Sequence, residues 1–161
     1  MTSLLRVLSA LFVAVSLLAV PPVAATAAPK SPAKPVVKVD TKFEKQVKTR
    51  TDKSRTAKKL KPLKKNACLN AYARAQAKRQ ATKQRMYHQN LRPALVRCDM
   101  RMVGENVAYG FTSTAKLQKA WMNSPGHRKN ILTKKFNRVG VGVYTSKTGV
   151  RYYAVVFGQA R

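Results

Sequence analysis

The interval between apolar residues changes along this chain, and that change limits its possible folds more than any other feature. Between residues 67 and 86, Cys68, Ala71, Tyr72 and Ala75 recur three and four positions apart, the period of an amphipathic helix. From Arg138 onward the interval is two, with Val139, Val141 and Val143 alternating with Gly140 and Gly142. Ser146-Lys147-Thr148-Gly149 supplies a turn, and the Tyr- and Val-rich stretch 150–157 reads as the returning strand of a hairpin. Helices first and strands last predict an α+β chain with a small antiparallel sheet. Gly140-Val141-Gly142 reads as strand packing, not a phosphate loop.

Boundary residues place the other elements. Asn66 is an N-cap for the helix over 67–86. Thr41-Lys42-Phe43-Glu44 is a capping box that opens a helix over 42–59. Phe43 and Val47 share one face of it; the rest is expected to be solvated and basic, and Pro62 ends it. A short turn or helix is expected over 93–96. Another amphipathic helix follows Ser113, with Leu117, Ala120 and Trp121 on one face, until Pro125 and Gly126 break it. Trp121 is assigned to the core. Ser124 before Pro125 reads as an N-cap with proline at the first helical position.

The N-terminus has the form of a secretory signal peptide. Arg6 precedes an apolar run from Val7 to Val20, then Ala24-Ala25-Thr26-Ala27-Ala28. Cleavage is expected after Ala27, which keeps Pro29 away from the first mature position. The run is shorter than the ~20 residues a spanning helix needs, so residues 1–27 are read as removed, leaving no transmembrane segment. Residues 28–39, with three prolines and three lysines, read as a basic extended tether. Residues 40–161 are the folded domain.

Charge sets the classes of function. The 161 residues hold 33 Lys+Arg against 5 Asp+Glu, a net +28. Signal cleavage removes one basic residue, Arg6. Five acids are too few for sites built from carboxylate clusters, and no P-loop, dinucleotide fingerprint or His-Glu-x-x-His motif is present. Such a surface is drawn to anionic cell-surface polymers, lipid head groups or nucleic acid without sequence preference. The tether has no aromatic residue before Phe43, which argues against base stacking. Two cysteines in an exported chain, Cys68 and Cys98, are expected to form a disulfide; a metal pair or free thiols are the alternatives.

Few residues can carry chemistry. His88 and His127 are the only histidines, and Glu105 is the only glutamate beyond Glu44. Taken singly, each has a plain structural reading: a hydrogen-bonding histidine, or a salt bridge to one of many arginines. Their spacing forms no local metal motif.

Longer segments are more specific. Gly104-Glu105-Asn106-Val107-Ala108-Tyr109-Gly110, then Trp121-Met122-Asn123-Ser124-Pro125-Gly126-His127-Arg128-Lys129-Asn130-Ile131-Leu132, then Val139-Gly140-Val141-Gly142, together resemble the bacterial secreted branch of the CAP superfamily. These are the domains of cysteine-rich secretory proteins, antigen 5 and pathogenesis-related 1 proteins (also called SCP domains). The resemblance covers roughly residues 42–158 and implies an α-β-α sandwich. It implies a central cleft in which His88, Glu105 and His127 are the metal-ligating or ligand-binding set. Animal and plant members carry a second glutamate three residues after the helix tryptophan, where this chain has Ser124, and a Thr-Gln-x-Val-Trp tail where it has Arg128-Lys129-Asn130-Ile131-Leu132. The set is thereby reduced to three, and zinc is expected to be held weakly or not at all.

Two imidazoles and a carboxylate form a reasonable zinc set with an open position for water. Glu105 could instead orient one imidazole from behind. A Ser124–His127–Glu105 triad is a further arrangement. The resemblance and the charge together imply a secreted or cell-wall-associated protein that is not an enzyme, with a ligand cleft and a polyanion-binding surface. The alternative is a zinc-dependent or serine hydrolase using the same cleft.

Overall fold

A computed structural model describes residues 37–161. The expected signal peptide, its expected cleavage site and residues 28–36 of the expected tether lie outside the described residues. In chain order the elements are β1 (Lys38–Val39), α1 (Thr41–Thr56), β2 (Lys64–Lys65), α2 (Ala67–Lys83), α3 (Arg92–Arg97), β3 (Met100–Tyr109), α4 (Thr114–Asn123), α5 (Pro125–Leu132), β4 (Arg138–Thr145) and β5 (Arg151–Ala160). The sheet order is β1-β4-β5-β3, antiparallel throughout, with β2 lying parallel beside the start of β4. One face of the sheet carries α2; α1, α4 and α5 contribute to the apolar cluster on the other.

The alternation in β4 explains this layering. Val139, Val141 and Val143 join Tyr153, Val155 and Phe157 of β5 in the larger core cluster, with Val47, Leu117, Trp121 and Ile131 from the helices. The opposite face of β4 offers Gly140 and Gly142, and the α2 backbone lies directly on them. A Cβ on Gly140 would come within 2.1 Å of the Leu69 carbonyl carbon, and one on Gly142 within 2.3 Å of the Ala73 oxygen. Large side chains on one face and two bare glycines under α2 on the other let one strand serve two different layers.

The hairpin of β4 and β5 and the short α3 fall where the sequence puts them. Asn66 caps α2 through the Leu69 N–H at 2.8 Å, and Ser113 caps α4 through the Ala115 N–H. Cys68 and Cys98 form a disulfide that joins the start of α2 to the end of α3.

Several expectations are corrected. β3 was not expected, and it lies between helices, so strands do not simply follow helices. Glu105 and Asn106 are consecutive buried polar residues on it, and they hide its period of two. The stripe Cys68, Ala71, Tyr72, Ala75 is not the buried face of α2. Ala71 and Ala75 are exposed, and the buried set is Leu69, Ala73, Gln76, Ala77, Gln80 and Ala81. Its two glutamines disguise the stripe. The capping box does not form either, because Asp40 accepts the Phe43 N–H as N-cap of α1. Glu44 turns inward to bind Arg74 of α2 at 2.9 and 2.6 Å and the Val143 N–H of β4 at 3.4 Å.

α1 is not merely a solvated face, and it ends before Pro62. Arg55, 2% exposed, donates to four backbone carbonyls, of Lys61, Ile131, Thr133 and Phe136. It ties α1 to the end of α5 and the segment that follows. The tether also ends sooner than expected, since Lys38 and Val39 pair with Thr145 and Tyr144.

Candidate functional site

The site is assembled from the loop after α2, the middle of β3 and the start of α5. Gln84 leaves α2 in the left-handed region at φ 49°. The loop is then pinned by the two buried glutamines of α2. Gln76 and Gln80 both donate side-chain N–H groups to the Tyr87 carbonyl, at 2.5 and 2.7 Å. Arg79 grips Gln76 Oε1 and Gln89 Oε1 at 2.8 and 3.1 Å. This places His88 and Gln89 over β3.

Glu105 rises from β3 to meet them. Its side chain is only 2% exposed, while that of His88 is 62% exposed. Glu105 Oε2 is 2.7 Å from His88 Nδ1 and accepts the Gln89 N–H at 3.3 Å; Oε1 accepts from Gln89 Nε2 at 2.7 Å. A buried carboxylate requires this many donors, because an uncompensated charge there is costly. The contact holds Nδ1 of His88 and, in the neutral ring, turns the Nε2 lone pair outward.

The second imidazole is set by α5. Asn106 Nδ2 donates to the His127 carbonyl at 3.1 Å, and Asn130 Nδ2 donates to the Glu105 carbonyl and to Asn106 Oδ1, both at 2.9 Å. Gly104 leaves room for this, since a Cβ there would lie 2.9 Å from Asn130 Oδ1. Ser124 stands at the N-cap position of α5 with Pro125 following, but its hydroxyl makes no cap bond. Ser124 Oγ lies 2.9 Å from His127 Nδ1. Trp121 packs 6.3 Å from the His127 ring and remains in the core, where its Nε1 donates to Val107 O.

The four sequence candidates thus occur as two pairs, His88–Glu105 and His127–Ser124. The pairs share a neighbourhood. Burial lowers the pKa of His127 from its ordinary 6.5, and the proximity of His88 lowers it further. The triad Ser124–His127–Glu105 is not formed, because Glu105 serves the other histidine. Three donors to one zinc ion do not fit either. Both Glu105 oxygens are spent on His88 and Gln89, and among the described residues no three His, Cys, Asp or Glu side chains are grouped to hold a metal ion. Glu105 occupies the orienting position behind an imidazole. Gln76, Gln80, Gln89, Asn106 and Asn130 were missed as site residues. The visible signal was the amides of Gly104-Glu105-Asn106 and Arg128-Lys129-Asn130.

A pH titration checks this neighbourhood. The His127 ring should titrate below 6.5 by NMR, and His88→Ala should move its midpoint back toward 6.5. Because the folded-state pKa is depressed, the unfolded chain binds more protons once pH falls below 6.5. Stability should therefore be unaffected by His127 above that pH and decline below it, levelling off under the folded pKa. A midpoint at or above 6.5 contradicts the shared site.

Comparisons with known proteins agree with one another. The sequence model of the cysteine-rich secretory protein family (CAP) matches residues 49–157. The uncharacterized protein YkwD of Bacillus subtilis is 36% identical over 113 residues, covering 65% of this chain and 43% of its own length. The chain therefore spans less than half of that relative. A cysteine-rich secretory protein of Staphylococcus aureus superposes with a TM-score of 0.65 at 28% identity, over 74% of this chain and 39% of the other. An extracellular protein containing an SCP domain from Bacillus anthracis gives 0.66 at 25% identity, over 74% and 41%.

Proposed function

The chain belongs to the cysteine-rich secretory protein (CAP) family, and from that membership we propose that it is an exported, non-catalytic binding protein. Its basic surface takes up anionic polymers or lipid head groups outside the cell, and its His/Glu cleft receives a ligand. The observation that carries this is the use made of its acids. Asp40, Glu44, Asp52, Asp99 and Glu105 are all paired, with Arg151, Arg74, Lys48, Arg161 and His88 respectively. Among the described residues, most of the lysines and arginines face solvent with no acidic partner. Export is supported by the signal-like N-terminus, by the disulfide and by the extracellular Bacillus anthracis relative. No helix among the described residues is long and apolar enough to cross a membrane.

The test is binding to long-chain inorganic polyphosphate and to phosphatidylglycerol vesicles at several salt concentrations. With six or more charges engaged, affinity should fall by roughly a thousandfold between 50 and 200 mM salt. Binding that ignores salt, or none to either probe, ends the reading.

A hydrolase reading draws on one contact, Ser124 Oγ to His127 Nδ1 at 2.9 Å. A nucleophile and base of this kind work when a third group orients the base, and Glu105 is committed to His88. Ester hydrolysis lost in Ser124→Ala and retained in Glu105→Gln would install this reading instead. For zinc, the fit is reduced to the two Nε2 atoms with Glu105 behind His88, a set too small for tight binding.

A further inference from the structure

We infer that the ≈ 850 Å³ groove between α1 and α2 is the seat of a linear phosphate-bearing polymer. The inference deepens the binding function proposed above and rests on it. The groove lies apart from the histidine cleft, along the outer edge of β4 between β1 and β2, where other groups stand in for a paired strand: Asn70 Oδ1 accepts the Val141 N–H, Glu44 Oε1 accepts the Val143 N–H, and the Asp40 N–H donates to the Val143 carbonyl. β1 covers that edge only at Tyr144 and Thr145, and β2 only at Arg138 and Val139. Val139 and Val141 line the groove between these two short strands.

Cationic side chains surround a lining that is otherwise largely apolar. Lys42, Lys45 and Lys48 come from α1, Lys65 from β2 and Arg74 from α2. The one acid lining it, Glu44, is held by Arg74 at 2.9 and 2.6 Å. Lys48 is engaged by Asp52, so Lys42, Lys45 and Lys65 are the exposed charges that remain free. On α1 the lysines recur every third residue, a rise of about 4.5 Å per step. That forms a ladder along one wall, with Lys65 facing it from β2.

The charge favours a polyanion, and the shape a chain over a plane. Arg74 has its fork closed on Glu44, so the charges left to a ligand are the lysine ammonium groups. Ammonium groups bind phosphoryl oxygens as point charges without demanding a fixed orientation. Two of the side-chain oxygens that could read a repeat unit are occupied: Asn66 Oδ1 accepts the Leu69 N–H and Asn70 Oδ1 the Val141 N–H. The free ammonium groups of Lys42, Lys45 and Lys65 see spaced negative charge. A concave groove admits a strand, whereas a bilayer would meet only its rim.

The experiment compares two triple charge reversals by polyphosphate binding. One is Lys42→Glu, Lys45→Glu, Lys65→Glu; the other reverses the exposed Lys58, Lys116 and Lys134, with the same change in net charge. The groove variant should lose at least about tenfold in affinity, and its salt slope should drop by about 3, one per phosphate contact. The scattered variant should lose less than about threefold. If the groove reversal lowers folding stability, the Lys→Gln triple replaces it with the same expectation. Equal losses in both variants overturn the groove and leave the basic-surface reading standing. A groove variant that loses vesicle binding but keeps polyphosphate overturns it in favour of a membrane. Failure of the unsubstituted protein to bind polyphosphate removes the premise itself.

Discussion

Arg55→Met should remove a large part of the stability of this domain. The guanidinium supplies the hydrogen bonds of four backbone carbonyls drawn from three places in the chain: Lys61 after α1, Ile131 in α5, and Thr133 and Phe136 after it. Methionine fills the space and donates nothing. A buried acceptor left unpaired costs about 1–3 kcal/mol; two of the four bonds are buried and two part-buried, so the loss is roughly 2–6 kcal/mol. Whole domains of this kind hold about 5–15 kcal/mol. Burial lowers the Arg55 pKa, opposed in part by nearby Asp52; an arginine stays a cation near neutral pH in any case. Arg55→Lys keeps the charge with three donors and no planar fork, and should fall between the two. Urea unfolding of the three proteins measures this. A loss under about 1 kcal/mol for Arg55→Met would show that the tie does not hold the layers.

Gly142→Ala should be comparably severe although it adds one methyl group. Its Cβ would lie 2.3 Å from the Ala73 oxygen and 2.4 Å from the Ala73 carbon, and Gly140→Ala meets the Leu69 backbone at 2.1 Å. Both obstacles are backbone, so no rotamer change relieves them and α2 must lift off the sheet. Ordinary overpacking costs about 1–3 kcal/mol, and this case lies at or above the upper end. At such a loss the melting temperature should fall by about 10 °C or more. Gly126→Ala is the control. It has no neighbour within 4 Å and lies in α5, where alanine gains helix propensity of up to ~1 kcal/mol. Thermal unfolding that ranks Gly126→Ala beside Gly142→Ala would refute the packing account. Because Gln76 and Gln80 of α2 pin the His88 loop, lifting α2 should also disturb the environment of His88.

These two sites show what a single sequence reveals and what it conceals. The glycines of β4 could be read, since alternation with valine leaves little other explanation. The caps Asn66 and Ser113 could be read because an N-cap acts within its own first turn. Arg55 could not: among so many basic residues its composition is silent, and its partners lie up to 81 residues away. β3 was hidden by Glu105 and Asn106, buried through hydrogen bonds rather than apolar contact. Of the site, the residue types were visible and the pairing was not. Whether Glu105 faces His88 or His127 depends on where Gln76 and Gln80 hold a loop, and no local pattern records that.

The disulfide has one more consequence. Cys68 and Cys98 are 30 residues apart, and the ring they close contains α2 from its second residue onward, the loop carrying His88 and α3. The loop includes exposed Arg85 beside Lys83 at the end of α2, targets for a protease that cuts after basic residues. A single nick there would leave both halves covalently joined. The cut chain would keep α2 and β3 tethered on either side of the break and would separate into two pieces only under reduction. In a milieu rich in secreted proteases, damage to this loop would be borne without shedding the rest of the domain.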